Sequence, residues 1–216
     1  MLVTAPQTLT DRDNETRRAL KRTARRLFSE RGVRGITVRE IAQAAGQRNQ
    51  GVVTYYFGTK ENLLAEILVD GAERIEARRR VHLARLEADG GPHRVADAVA
   101  AIVLPSAEFV DEDADYGSNF NRYLFRLTVY DSAFVDRTLD GRYNEGYRRC
   151  LSHLRRLMPG SSRQVQSRRL VFLGSYLGPL LAQREAMLAD TADHPTWQSD
   201  EMLADIIRTA AAILEA

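Results

Sequence analysis

Between positions 48 and 55 the chain carries Arg48, Asn49, Gln50, Thr54 and Tyr55, side chains suited to bonding with nucleic acid. A guanidinium can fork onto the two acceptors of guanine, and a carboxamide can pair bidentately with adenine. Thr54 and Tyr55 follow one turn later and can reach a phosphate or a base edge. Thr37 and Lys60 stand at two predicted helix starts, where helix dipoles would help them clamp backbone phosphates. Charge agrees with this chemistry. The first 60 residues hold 12 Arg and Lys against 5 Asp and Glu, whereas the remaining 156 hold 19 against 24. The net +2 of the whole chain conceals a basic N-terminal part on a mildly acidic body.

Side chains of this kind read DNA only when a rigid element presents them. Helical spacing predicts a first helix from Asp13 or Asn14 to Arg31, with Leu20, Ala24, Leu27 and Phe28 on one stripe. Arg17, Arg18, Lys21, Arg22, Arg25 and Arg26 crowd its other faces, and Gly32 and Gly35 end it. Thr37-Val-Arg-Glu40 reads as a capping box that opens a second helix, which buries Val38, Ile41, Ala42 and Ala45 and closes at Gly46. A third helix is expected from Asn49 or Gln50 to Phe57. Thr59 then caps a fourth, with Leu63, Leu64, Ile67 and Leu68 on its apolar side. In a helix-turn-helix the second helix puts its N-terminal side chains against base edges. Val38, Ile41, Val53 and Phe57 would hold that pair at its angle.

The ordered elements Ala24-Arg-Arg-Leu-Phe28, Gly35-Ile-Thr-Val38, Ile41-Ala-Gln-Ala-Ala-Gly46, Tyr55-Tyr-Phe57 and Lys60-Glu-Asn-Leu-Leu64 resemble the TetR family of transcriptional regulators. The resemblance covers about residues 14–68. It implies an N-terminal three-helix DNA-binding unit, a variable helical ligand domain and a two-fold dimer made by the last long helices. This chain departs from the family pattern twice. It is one residue longer between Gly46 and Phe57, which leaves open which of Arg48, Asn49 and Gln50 enters the groove. Thr54 also stands where the family commonly has tyrosine, which moves the phosphate contact to Tyr55.

Beyond the Gly90-Gly91-Pro92 break, helical segments are expected near 94–109, 118–130, 132–157, 163–188 and 200–215. No stretch alternates apolar and polar residues long enough to suggest a sheet, so the fold class is all-α. Three regions are expected: a disordered arm over 1–12, a helix-turn-helix domain over 13–58 and a helical ligand-binding and dimerisation domain over 59–216. The aromatic-rich segment 105–147 suits an apolar pocket with a few orienting polar groups. Phe109, Phe120, Tyr123, Arg126, Tyr130 and Tyr147 are candidate ligand contacts, with Tyr176 further on. Leu170, Gly174, Leu177, Gly178 and Leu181 on one late helix, and Leu203, Ile206, Ile207 and Ala210 on the last, are candidates for a four-helix homodimer interface.

Other chemistry is poorly supported. The run Asp111-Glu-Asp-Ala-Asp115 resembles the start of a calcium loop, but Tyr116 stands at its sixth position and Arg122 at its twelfth. The four histidines are scattered, and the single cysteine, Cys150, can form neither a zinc site nor an intramolecular disulfide. No cofactor or metal is expected. The N-terminus lacks the pattern of a signal peptide, and the run 170–182 is too short to span a bilayer. A cytoplasmic protein without membrane association is therefore expected. The reading is a ligand-responsive repressor that binds a palindromic operator in double-stranded DNA as a homodimer, and that an apolar or aromatic small molecule releases. One rival is an activator or a regulator with no small ligand; another is a helical enzyme or carrier whose basic N-terminus attracts acidic partners without specificity.

Overall fold

The computed structural model describes residues 11–112, 119–190, 192–199 and 201–216. Among them every regular element is helical. Helices α1 (Asp11–Arg31), α2 (Val38–Ala44) and α3 (Val52–Phe57) form the head. The body follows with α4 (Lys60–Ala88), α5 (Val95–Glu112), α6 (Phe120–Tyr130), α7 (Ser132–Leu139) and α8 (Glu145–Arg156). It ends with α9 (Arg163–Ala189), the short α10 (Pro195–Gln198) and α11 (Glu201–Glu215).

Three expected boundaries shift. Helix α1 already includes Asp11 and Arg12, two residues of the expected arm; residues 1–10 lie outside the described residues. Helix α3 starts at Val52, because Asn49 folds into a turn that keeps 48–51 out of the helix. The expected segment 132–157 is two helices. The chain reverses between them at Gly141, whose φ of 68° is costly for any residue with a Cβ. Of the acidic run, Asp111 and Glu112 belong to α5, and 113–116 lie outside the described residues.

Two apolar clusters hold the molecule together. The first joins Leu20, Phe28, Ile41 and Val53 of the head to Leu63, Leu64 and Ile67 of α4 and to Phe120, Tyr123 and Leu127 of α6. This core runs without a break through residue 58, the limit expected for the head. The second cluster packs Leu83 of α4, Val99 and Ile102 of α5, and Cys150 and Leu154 of α8 against Leu173 and Leu177 of α9 and Ile206 and Ala210 of α11. Helix α4, about 43 Å long at 1.5 Å per residue, contributes to both clusters. No helix among the described residues is long and apolar enough to cross a membrane, and no cluster there could hold a metal ion.

Candidate nucleic-acid interface and effector cavity

Helix α3 is short because the Asn49 turn precedes it and Gly58, at φ 72°, ends it; Val53 and Phe57 are its buried face. That docking points Thr54 and Tyr55 outward. Tyr55 is 73% exposed, so its ring and hydroxyl are open to a partner. Its neighbour Tyr56 turns the other way, donates its hydroxyl hydrogen to Asp13 of α1 at 2.8 Å and stacks edge-on with Tyr55. The Asp13 carboxylate pushes the Tyr56 phenol above its ordinary range, which keeps this link protonated.

Arg48, Asn49 and Gln50 lie in the turn before α3, all exposed. Asn49 is engaged in its own turn, accepting from the Gly51 amide at 2.9 Å through Oδ1. That bond fixes the direction of the carboxamide, so a base edge can be met only through the second Oδ1 lone pair and Nδ2 in the orientation the turn imposes. Among the described residues Arg48 and Gln50 have no such bond. The turn itself is possible because Gly46 sits at φ 70°.

The two residues expected to clamp phosphates have partners inside the protein. Thr37 caps α2: its Oγ1 accepts from the Glu40 amide at 3.2 Å, while the Thr37 amide donates to Glu40 Oε2 at 2.9 Å. These bonds, joined by Arg31 at 2.9 Å, hold the Glu40 carboxyl below its usual range. The anionic position at the start of α2 is thus filled by Glu40. The ammonium of Lys60 donates to the carbonyls of Val33 at 2.7 Å and Ile36 at 2.6 Å and lies over the Phe28 ring. Desolvation holds its pKa below the ordinary lysine value. Lys60 thereby fixes the loop between α1 and α2.

The basic face of α1 is also divided. Arg17 and Lys21 form ion pairs with Glu66 and Asp70 of α4, and Arg25 is buried against Asn119 at the start of α6. Arg18, Arg22 and Arg26 remain exposed. Sequence spacing alone cannot divide such a stripe, because the partners lie 49 and 94 positions away.

In the body, α4 to α9 line a half-open cavity of about 680 Å3, within the range of small-molecule sites. Its walls are mainly apolar, from Leu68 and Ile75 of α4, Ile102 of α5, Phe120 and Leu124 of α6 and Leu177 of α9. Of the seven expected ligand contacts, Phe120 and Tyr147 line it. Tyr123 is core instead, with its hydroxyl donating to the Leu64 carbonyl at 2.7 Å. Phe109 packs edge-on behind Phe120, and Tyr130 lies under Arg34 beside the head. Arg126 faces solvent, and Tyr176 packs on the second apolar cluster. Helical spacing puts aromatics at regular intervals but does not say which side of the helix meets a void.

Sequence reasoning passed over Glu76 and Arg79, buried residues of α4 that meet the cavity as an ion pair. A signal was present: Leu68, Ala72, Ile75, Arg79 and Leu83 form one helical stripe in which only Arg79 is charged. Glu185 was missed as well. From α9 it accepts the amides of Asn121 at 2.6 Å and Arg122 at 3.2 Å, and so caps the start of α6. Burial pushes its carboxyl up to about 7 despite those bonds and the Arg122 guanidinium.

The expected dimer stripe is largely interior. Leu177, Leu181, Ile206 and Ala210 are buried within the chain's own core, and Leu170, Leu203 and Ile207 pack against it half-buried. These residues are the inward ridge that joins α9 to α11 and α5, so an apolar helical stripe here meant packing within the subunit. Gly174 and Gly178 line the cavity, Gly174 at an exposed position. The outward face of α9 instead shows Val171 and Phe172, 64% and 57% exposed.

Residues 21–67 match a family model described as bacterial regulatory proteins of the tetR family. Residues 100–212 match one described as the tetracyclin repressor-like C-terminal domain. A curated relative, the HTH-type transcriptional repressor AcnR of Corynebacterium glutamicum, is 35% identical over 65 residues. That alignment covers 30% of this chain and 34% of the relative, so it spans about a third of the relative's length.

Proposed function

Because the chain belongs to the TetR family of bacterial regulatory proteins, which bind DNA and are not enzymes, we propose that it is a transcriptional repressor released from its operator by a small molecule. The reading rests on one observation above the others. The exposed α3, with Tyr55 uncovered, and a cavity of about 680 Å3 both border the same helix, α4. Tyr55 and Thr54 reach the groove or its phosphates, and Arg48 and Gln50 read from the turn before them. Asn49 shapes that turn. Thr37 and Lys60 hold the frame and reach phosphate only through hydrogens their internal bonds leave over. Residues 13–58 carry the DNA contacts, and 59–216 carry the effector and the dimer.

One helix of six residues contacts too few base pairs for useful specificity, so the operator is a palindrome read by a homodimer. Val171 and Phe172 form the centre of the dimer surface, with Gly174 and the half-buried Leu170, Leu203 and Ile207 at its margin. An effector against Phe120 and Asn121 displaces α6, whose first turn is tied to Arg25 of α1 through Asn119. The head is thereby moved out of operator spacing, and occupancy falls because the effector binds the displaced arrangement better.

The test is selection of sheared genomic DNA on the purified protein at near-physiological salt. Enrichment of a few palindromic sites is expected. Uniform recovery that vanishes as salt rises would leave only phosphate attraction and refute the reading.

A further inference from the structure

The floor of the cavity carries two opposite charges that cancel. Glu76 and Arg79, one turn apart on α4, are 2% and 6% exposed and paired with each other. The second carboxylate oxygen of Glu76 accepts from the Gly146 amide of α8 at 2.7 Å. Arg79 Nε donates to the Ala101 carbonyl of α5 at 3.2 Å. Three helices therefore hold the pair in one orientation. Nε and Nη1 are used in these bonds, and Nη2 has no acceptor among the described residues. The Tyr147 ring, which also lines the cavity, lies 5.7 Å from the guanidinium carbon.

A charged ligand is poorly matched to this floor. A carboxylate would have to share Arg79 with Glu76, placing two buried anions on one guanidinium. The third charged lining residue, Asp136 of α7, is exposed to solvent and not part of the floor, where an ammonium would draw Glu76 away and leave Arg79 buried without its counter-charge. Either costs far more than a neutral group, which leaves the pair intact. Of the five guanidinium hydrogens of Arg79 the bonds to Glu76 and Ala101 use two, so a neutral acceptor can take one on Nη2 while the rest of the molecule covers apolar wall such as Ile75, Phe120 and Leu124.

We propose that the effector is an uncharged, mainly apolar or aromatic molecule whose carbonyl oxygen accepts a hydrogen bond from Arg79 Nη2: a ketone, ester, amide or lactone. This rests on the reading of the cavity as the effector site. Arg79 is the positioning donor, Glu76 sets the charge of the floor, and the apolar walls contribute the affinity.

The experiment titrates the full chain with prodan, a neutral aminonaphthyl ketone whose emission moves to the blue on leaving water. The carboxylate and the primary amine built on the same ring system are measured beside it. Saturable binding of the ketone at one site per chain is expected, with acid and amine at least tenfold weaker. Glu76→Gln keeps an oxygen for the Gly146 amide but removes the counter-charge, so the acid should gain at least tenfold relative to the ketone. Leu124→Trp, which fills the cavity, should abolish binding of all three. An acid or amine that binds the parent as tightly as the ketone overturns the neutral class and leaves the cavity standing as effector site. An unchanged acid-to-ketone ratio in Glu76→Gln removes Arg79 from the contact and overturns the proposal. Absence of saturable binding by any of the three overturns both this proposal and the effector reading. The ketone-to-acid ratio of the parent decides the class whichever variants fold.

Discussion

Gly71, buried in the middle of α4, leaves no room for a side chain. A Cβ built there would lie closer than 3.0 Å to three carbons of the Phe120 ring. Carbon atoms pack at about 3.5–4.0 Å, so Gly71→Ala must push that ring by roughly an ångström or more. Behind the ring stand Phe109 and Tyr123, with centroids at 5.6 and 6.0 Å and both fully buried, so it cannot retreat into the core. The empty side is the cavity that Phe120 lines. Two terms oppose each other in stability. Alanine for glycine inside a helix gains about 1 kcal/mol. Overpacking a core site costs about 1–3 kcal/mol. The net loss should therefore stay below about 2 kcal/mol, because the cavity relieves the strain. The effector site takes the displacement instead, and a loss of about 1.4 kcal/mol in binding is a tenfold weaker Kd. Urea unfolding followed by circular dichroism measures the first quantity, and prodan titration the second. A Gly71→Ala protein that gains the full helix-propensity increment and binds the probe as before would refute the idea that Phe120 is wedged between α4 and the cavity.

Further outcomes follow from the same geometry. Tyr55→Ala should weaken operator binding by about tenfold or more while leaving the unfolding midpoint unchanged, since an exposed ring contributes to contact and not to the core; equal affinity in gel shifts would remove α3 from the interface. Arg48→Ala should cost about 1–3 kcal/mol at the operator and relax the preference at one base pair, read by competition with single-base variants. Lys60→Met strands the carbonyls of Val33 and Ile36 and should lower stability by about 1–3 kcal/mol in urea titrations, whereas an unchanged midpoint would show the ammonium to be dispensable. Glu185 is expected to make the parent less stable as pH rises. Its carboxyl goes from 4.5 to about 7 on folding, so its contribution is full below pH 4.5 and is lost as pH rises through 7. At about 1.36 kcal/mol per unit the loss is on the order of 3 kcal/mol by pH 8, and Glu185→Gln should flatten that part of the curve. Parallel stability curves for the two proteins between pH 5 and 8 would refute it.

The head was legible in the sequence where its signals are local. Thr37 and Glu40 lie three residues apart, and their reciprocal bonds are present, as is the Thr59 cap of α4. Gly46 closes the turn for the same reason, since a single residue's φ decides it. What escaped depends on partners far along the chain. Nothing near Lys60 announces that its ammonium will find carbonyls 24 and 27 residues earlier. Glu76 is understandable only with Gly146, 70 positions away, and Glu185 only with the start of α6. Leu177 and Leu181 belong to the chain's own core, which spacing could not foretell, because a helix packed within its own subunit and one packed against a partner bear the same apolar stripe. Phe120 and Tyr123 are three residues apart and both aromatic, yet one meets a cavity and the other a backbone carbonyl.

Both lysines of the chain, Lys21 and Lys60, are tied down, one to Asp70 and the other to two carbonyls of the head. Acylating reagents that attack free side-chain amines therefore meet almost none in the folded state. Each lysine becomes available only when its own junction opens: Lys21 when α1 lifts from α4, and Lys60 when the loop before α2 lets go. Timed acylation read by mass spectrometry would thus record the loosening of two specific joints, without any substitution in the chain.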